Sequence, residues 1–179
     1  MIYLLFSFAV GMGGGAFQVK GDNIVSPSYG PKVEIYSLFE FVPNLVYSID
    51  IKGGRAKLIP ISSVLGNEFE FIQGALSLYW YPLSTRLKPY ILTRLGLMRW
   101  RFKDDGEVVV SLNGNNFDRY SLTLGGGIGV SSEFSNFVFS LGVYSDFIFS
   151  VDKDWEKGFG TEDENEYTLG FDIRIAKEF

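Results

Sequence analysis

The chain has 179 residues, enough for one domain with a sizeable core, and 1–179 is interpreted as a single domain. Its formal net charge of -5 gives no electrostatic reason to expect nucleic-acid binding. The absence of cysteine and histidine excludes disulfides and thiol nucleophiles, and it removes the most usual general base and metal ligand. With 17% aromatic residues and 21 glycines, but no apolar run long enough for a spanning helix, the composition favours a membrane barrel built from strands.

Alternating apolar and polar residues predict eight strands, each bounded by Gly, Pro, Asn, Asp or Ser. In chain order they cover residues 3–13, 33–42, 45–52, 69–81, 88–102, 119–130, 137–149 and 166–178. Long and short connections alternate between them, which is typical of an up-and-down transmembrane barrel with short periplasmic turns and long outer loops. The predicted fold class is therefore all-β, an eight-stranded antiparallel barrel.

The first predicted strand has some features of a signal peptide, namely an apolar stretch followed by small residues at 14–16. It has no basic residues at its start, and its removal would leave an odd number of strands. Phe6, Phe8, Val10 and Met12 alternate with small residues, as expected for a strand with one face in lipid. We therefore expect it to be strand one of a mature chain.

The sixth predicted strand, 119–130, decides which face of the sheet points inward. One face carries Leu122, Leu124, Ile128 and Val130, and the other carries Ser121, Thr123, Gly125, Gly127 and Gly129. A core of Ser, Thr and Gly would be nearly empty, so the apolar face is expected to contact lipid and the small residues to line the lumen.

The same alternation predicts charged side chains inside the barrel. They are Glu34, Glu40, Asp50, Arg94, Asp146, Asp172 and Arg174. Because an unpaired buried charge is costly, we expect these groups to form a network of ion pairs. An eight-stranded interior is only wide enough for side chains to fill, so no open pore is expected.

Aromatic residues cluster near the ends of the predicted strands. They are Tyr79, Trp80, Tyr81, Tyr90, Trp100, Phe102, Tyr120 and Tyr167. Such positions suit the interfacial girdles of a membrane barrel, and this is the role predicted for them.

The chain ends on an alternating strand with a terminal aromatic residue, Tyr-Thr-Leu-Gly-Phe-Asp-Ile-Arg-Ile-Ala-Lys-Glu-Phe (167–179). This strand is expected to pair with the first and close the barrel. It resembles the C-terminal signature of bacterial outer-membrane proteins, and the resemblance assigns Phe171, Ile173, Ile175 and Phe179 to an assembly signal. Leu-Lys-Pro-Tyr-Ile-Leu-Thr-Arg-Leu-Gly-Leu (87–97) also looks like a strand of small barrels of OmpA/OmpX type and OmpW type.

These resemblances imply a monomer in the bacterial outer membrane with no cofactor. The implied partners are the lipid bilayer, lipopolysaccharide, the outer-membrane assembly machinery and a surface ligand.

The last outer loop, 151–166, carries seven acidic residues against two lysines. Asp152, Asp154 and Glu156 have the alternate spacing and oxygen ligands that suit a hard divalent cation, but a solvated acidic loop is the preferred interpretation. Trp155 and Phe159 are candidates for contact with a partner or with lipid headgroups.

Small outer-membrane barrels include lipid A deacylases and palmitoyltransferases, which rely on a histidine that this chain lacks. The expected function is therefore non-enzymatic: a porin-like barrel with a plugged polar lumen that displays loops for adhesion, other surface interactions or envelope stability. One alternative is a conduit of OmpW type for small hydrophobic molecules, which requires an apolar lumen mouth that opens sideways. Another is a soluble lipocalin-like barrel, which requires the apolar faces to point inward.

Overall fold

Antiparallel strands close into an eight-stranded barrel in the computed structural model, which describes residues 7–21, 24–60, 66–83, 85–110, 116, 118–149 and 166–179. The barrel strands are β1 (Ser7–Lys20), β3 (Gly30–Val42), β4 (Leu45–Pro60), β5 (Glu68–Trp80), β6 (Lys88–Asp104), β8 (Asp118–Phe134), β9 (Phe137–Phe149) and β10 (Glu166–Glu178). The short strands β2 (Ile24–Pro27) and β7 (Glu107–Val108) pair with β4 and β6. Because β1 pairs with both β3 and β10, and β4 pairs with β5, the sheet closes and the predicted fold class is confirmed.

The two ends of the barrel differ in their connections. Residues 43–44, 81–87 and 135–136 connect strands at the end where β1 begins and β10 finishes, here called the turn end. Residues 21–29, 61–67, 105–117 and 150–165 connect strands at the opposite end, here called the loop end. The expected alternation in length fails at one place, because 61–67 is no longer than 81–87. Among the described residues there is no helix with the length and hydropathy to cross a membrane.

Several barrel strands are longer than the sequence predicts, and β4 and β1 show the reason. Strand β4 continues past Lys52 to Pro60, because Gly53 and Gly54 pair with β3 on one side and β5 on the other. Strand β1 likewise continues to Lys20 through glycines that pair with β3 and β10. Glycine in a strand interior is unfavourable, and here the backbone hydrogen bonds from two neighbouring strands offset that cost.

The inward and outward faces follow the predicted alternation. On β8, Leu122, Leu124 and Ile128 are exposed while Ser121 and Thr123 are buried in the barrel. The outward apolar set continues around the barrel on β9 and β10, with exposed Phe139, Leu141, Val143, Phe171 and Ile173. The barrel therefore carries its apolar surface on the outside.

The prediction of aromatic girdles is wrong for half of its residues. Four of them are buried in the lumen. Tyr90, Trp100 and Phe102 share the inward parity of Arg94 on β6, and Tyr79 shares that of Ser77 on β5. Trp80 and Tyr120 face outward and are exposed, as a girdle requires. Tyr167 is half-buried on the outward face, and the half-buried Tyr81 packs against the ring of Tyr90.

The lumen is filled in three layers. Apolar clusters close the turn end, formed by Ala9, Tyr36, Val138 and Ala176 and by Tyr79, Tyr90 and Leu92. A charged layer occupies the middle. A third and larger apolar cluster fills the loop end and consists of Phe17, Val19, Ala56, Leu58, Phe69, Phe71, Met98, Trp100, Phe102 and Ile148.

Inward glycines make room for these large side chains. A Cβ at Gly170 would lie 2.3 Å from the hydroxyl of Tyr144, and one at Gly129 would lie 2.4 Å from that of Tyr90. The space next to the small inward residues of β8 is thus filled by side chains from neighbouring strands.

We predict that Gly127→Ala destabilises the barrel and Gly126→Ala does not. A Cβ at the inward Gly127 would lie 2.5 Å from the Val143 carbonyl oxygen, whereas one at the outward Gly126 meets its nearest atom at 3.4 Å. Overpacking against backbone should lower the free energy of unfolding by about 1–3 kcal/mol for Gly127→Ala. Urea unfolding in lipid vesicles measures this, and equal stability of the two variants would contradict the assignment of faces.

Candidate functional site in the barrel lumen

The middle layer of the lumen brings together charged side chains from five strands. Strand β3 supplies Lys32 and Glu34, β4 supplies Asp50 and Lys52, β6 supplies Arg94, β9 supplies Asp146, and β10 supplies Asp172 and Arg174. Residues two apart on a strand point to the same face, which explains the three pairs on β3, β4 and β10. All eight residues are at most 4% exposed.

Four of these groups form a cluster between β3 and β10. Arg174 Nη2 lies 3.1 Å from Glu34 Oε2 and 3.5 Å from Asp172 Oδ2. Lys32 Nζ contacts Asp172 and lies 3.5 Å from Glu34 Oε2. Each cation therefore meets both carboxylates, which offsets the cost of burying all four charges.

The other four groups form a second cluster between β4, β6 and β9. Lys52 Nζ lies 2.5 Å from Asp146 Oδ2, and Arg94 Nη1 lies 3.4 Å from the same oxygen. Arg94 Nε lies 3.7 Å from Asp50 Oδ2. Asp50 also accepts hydrogen bonds from the hydroxyls of Ser48 and Ser77.

The ring of Tyr144 lies between the two clusters. Its centroid is 4.1 Å from Lys32 Nζ, 4.6 Å from Lys52 Nζ and 5.3 Å from Arg94 Cζ. Cations over an aromatic face are attracted to its negative quadrupole, more strongly when they are out of water. Tyr144 thus connects cations of both clusters.

The charged layer is balanced, with four cations and four carboxylates. Such an arrangement stabilises a filled interior and supplies no surplus charge to attract an ion. In the part of the chain that the structure describes, no group of His, Cys, Asp and Glu is arranged to hold a metal.

Six of the seven residues proposed for the lumen network from the sequence lie in this layer. Glu40 does not: it lies near the turn end, where its Oε1 accepts a hydrogen bond of 3.2 Å from the backbone amide of Asn44. Sequence reasoning missed Lys32 and Lys52, because Lys32 preceded the predicted second strand and Lys52 ended the third. The signal was present, since each lies two positions from a residue predicted to face inward.

The residues of the proposed assembly signal lie on β10 and the chain end. Phe171, Ile173 and Ile175 face outward, and Phe179 is exposed. The Phe179 amide donates a hydrogen bond of 3.0 Å to the carbonyl of Phe8. The candidates of the last loop, Asp152, Asp154, Trp155, Glu156 and Phe159, lie outside the described residues.

No family model matches the chain, and no curated protein sequence matches it significantly. Solved structures do share its fold. Neisserial surface protein A, NspA, is 19% identical over 94% of this chain and 96% of its own, with a TM-score of 0.62. Ail, the attachment invasion locus protein of Yersinia pestis, is 15% identical over 97% of this chain and 98% of its own, with a TM-score of 0.57. The outer membrane enzyme PagL is 11% identical over 93% of this chain and 97% of its own, with a TM-score of 0.53.

The chain therefore has the fold of the small eight-stranded outer-membrane barrels. This is the class indicated by its last strand and its alternating faces. The fold alone does not select a function, because surface proteins and an enzyme share it.

We predict that Asp146→Asn strongly destabilises the barrel, because Lys52 and Arg94 both lose a buried anion. Breaking a buried ion pair costs about 3–5 kcal/mol. Asp118→Asn is the matched control, because Asp118 pairs with Arg99 on the outward face where both side chains are partly exposed. An exposed pair contributes far less than a buried one. Unfolding midpoints in vesicles compare the two, and a similar loss for both would contradict the role of the lumen network.

Proposed function

We propose that the chain is an integral, non-enzymatic barrel of the bacterial outer membrane that presents its loop-end connections at the cell surface. The observation that carries this proposal is the distribution of polarity: exposed apolar side chains cover the outside and paired charges fill the inside. In water this pattern would expose a large apolar surface, whereas in a bilayer it places apolar side chains against lipid. The soluble lipocalin-like alternative requires the reverse pattern.

The surface role is supported by the filled lumen. A barrel with three packed layers inside has a rigid wall, which leaves the connections at the loop end to contact other molecules. NspA is described as a surface protein and Ail as an attachment invasion locus protein, so the same fold serves at cell surfaces elsewhere. We propose adhesion or another surface interaction, with envelope stability as a further role of the same barrel.

A non-enzymatic role is favoured by the absence of histidine from the chain. The buried carboxylates of the lumen are each engaged with cations, so none is presented to a substrate as a general base.

The alternative is a conduit for small hydrophobic molecules. The apolar cluster at the loop end of the lumen favours it, because such a conduit requires an apolar mouth. The packing of the lumen opposes it, because the residues of this cluster are at most 5% exposed and eight paired charges fill the lumen below them.

Further partners follow from the proposed location. The outward apolar face of β10 and the terminal Phe179 are proposed to be recognised by the outer-membrane assembly machinery, and lipopolysaccharide is proposed to surround the loop end. A monomer is proposed, since both edges of the sheet are used in closing the barrel.

We predict that the chain, refolded from urea, forms a compact species only with detergent or lipid vesicles. Unheated protein should then migrate differently from boiled protein on a gel, because the closed barrel resists the gel detergent. The vesicles should show no steady channel conductance, because the lumen is filled. A strand-rich monomer in plain buffer would contradict membrane insertion, and a stable conductance would favour the conduit.

We predict that an epitope tag inserted within 155–160 is reached by antibody on intact cells. A tag inserted at Ser135–Asn136, in a short turn at the opposite end of the barrel, should be reached only after the cells are permeabilised. The second tag is the control for cell integrity. The reverse labelling would contradict the proposed orientation.

A further inference from the structure

On four neighbouring strands, outward-facing residues near the loop end are charged. They are Arg55 and Lys57 on β4, Glu68 and Glu70 on β5, Arg99, Arg101 and Lys103 on β6, and Asp118 on β8, and together they are called the charged belt. Among the described outward positions of β1, β3, β9 and β10, the charged residues are Lys20 and Lys177. The belt therefore occupies one side of the barrel.

The belt is ordered by cross-strand pairing. Arg55, Glu70, Arg101 and Asp118 are directly opposite one another in the register of β4, β5, β6 and β8. Arg101 Nη2 lies 2.9 Å from Glu70 Oε1, and Lys103 Nζ lies 2.5 Å from Glu70 Oε2. Arg99 donates two hydrogen bonds to Asp118, of 2.8 and 2.5 Å. Cross-strand pairs of this kind bring the basic side chains together and contribute modestly to the stability of the sheet.

The charges of the belt do not cancel. Five basic residues face three carboxylates, which leaves an excess of two positive charges on a chain whose net charge is -5. The hydrogen bond from Arg101 and the neighbouring Lys103 lower the pKa of Glu70, which lies beyond the apolar surface, to about 2. Its negative charge is thus already engaged with these two residues. Arg55 is 56% exposed and lies 3.9 Å from the carboxylates of Glu68 and Glu70.

A cavity of about 220 Å³ opens beside the belt and is lined by Glu70, Phe71, Ile72, Arg99 and Arg101. Ile72 is opposite Arg99 in the register, and Leu97 is opposite Leu122 one step toward the turn end. Ile72, Leu97 and Leu122 are exposed. Two guanidinium groups therefore stand directly above an apolar outward surface.

We propose that the charged belt binds the phosphate monoester headgroup of a lipid in the outer leaflet. A phosphate monoester carries a charge of about -1.5 to -2, which matches the excess of two positive charges. Guanidinium groups bind phosphate oxygens in a bidentate manner, and the acyl chains of the same lipid would lie against Ile72, Leu97 and Leu122. A water-soluble phosphate would gain nothing from that apolar surface. The inference rests on the proposed membrane location.

The test uses the full chain in phosphatidylcholine vesicles that contain phosphatidic acid or, at the same mole fraction, phosphatidylglycerol. Phosphatidic acid is a phosphate monoester and phosphatidylglycerol is a diester with a single charge. Native mass spectrometry of the released barrel counts the retained lipids. We expect phosphatidic acid to be retained preferentially and Arg99→Gln/Arg101→Gln to lower that preference about tenfold, the effect of about 1.4 kcal/mol of lost binding.

The matched control is Lys20→Gln/Lys177→Gln, which removes two positive charges from outward positions outside the belt. This variant should keep the preference for phosphatidic acid. An equal loss of that preference in both double variants would contradict a specific site in the belt. Arg55→Gln is a second belt variant, because Arg55 has only contacts of 3.9 Å and its loss should not affect folding. It should also reduce the preference, and full retention of the preference in both belt variants would overturn the proposal.

Further outcomes distinguish a lipid site from a site for soluble phosphate and from a failure to insert. Displacement of phosphatidic acid by excess glycerol 3-phosphate would overturn the lipid assignment in favour of a soluble phosphate, and no displacement supports it. A chain that inserts into vesicles and shows no lipid preference would overturn this inference alone. A chain that does not insert would overturn the proposed function as well.

Discussion

The narrow interior of an eight-stranded barrel is the constraint on which the rest of the structure depends. Such an interior holds side chains and little else, so every charge placed there must find its partner among other side chains. The lumen meets this requirement with four cations and four carboxylates, joined through the ring of Tyr144. The inward glycines follow from the same constraint, because rings such as Tyr90 and Tyr144 leave no space for a Cβ opposite them.

The residues that stabilise the barrel are different from those that can contact other molecules. The packed layers hold the wall together, while the outward apolar surface and the loop-end connections contact the surroundings. The charged belt lies where these two outer regions meet, and it is ordered by the same cross-strand register that closes the barrel. Surface interactions can therefore vary without disturbing the lumen.

Several features of the fold could be predicted because they are local. Alternation along one strand settles which of its residues share a face, so Leu122 and Ser121, or Asp172 and Ile173, were assigned correctly from the sequence. Strand ends were harder to predict. Lys32 and Lys52 were missed because the first preceded a predicted strand and the second was the last residue of one, and the pairing that extends β3 and β4 past them comes from neighbouring strands. Trp100 and Phe102 were assigned to a girdle by their position near a strand end, although their parity with Arg94 places them in the lumen.

The sequence by itself determined the strand-rich class, the closing role of the last strand and the two faces of the wall, because a period of two residues is a property of each strand alone. The tertiary structure decided which charges meet. Glu34 and Arg174 pair although they are 140 residues apart, and Lys52 meets Asp146 across 94 residues. These partners depend on strand register and barrel closure, which no single strand encodes. The same is true of the charged belt, whose members become neighbours only when β4, β5, β6 and β8 lie side by side.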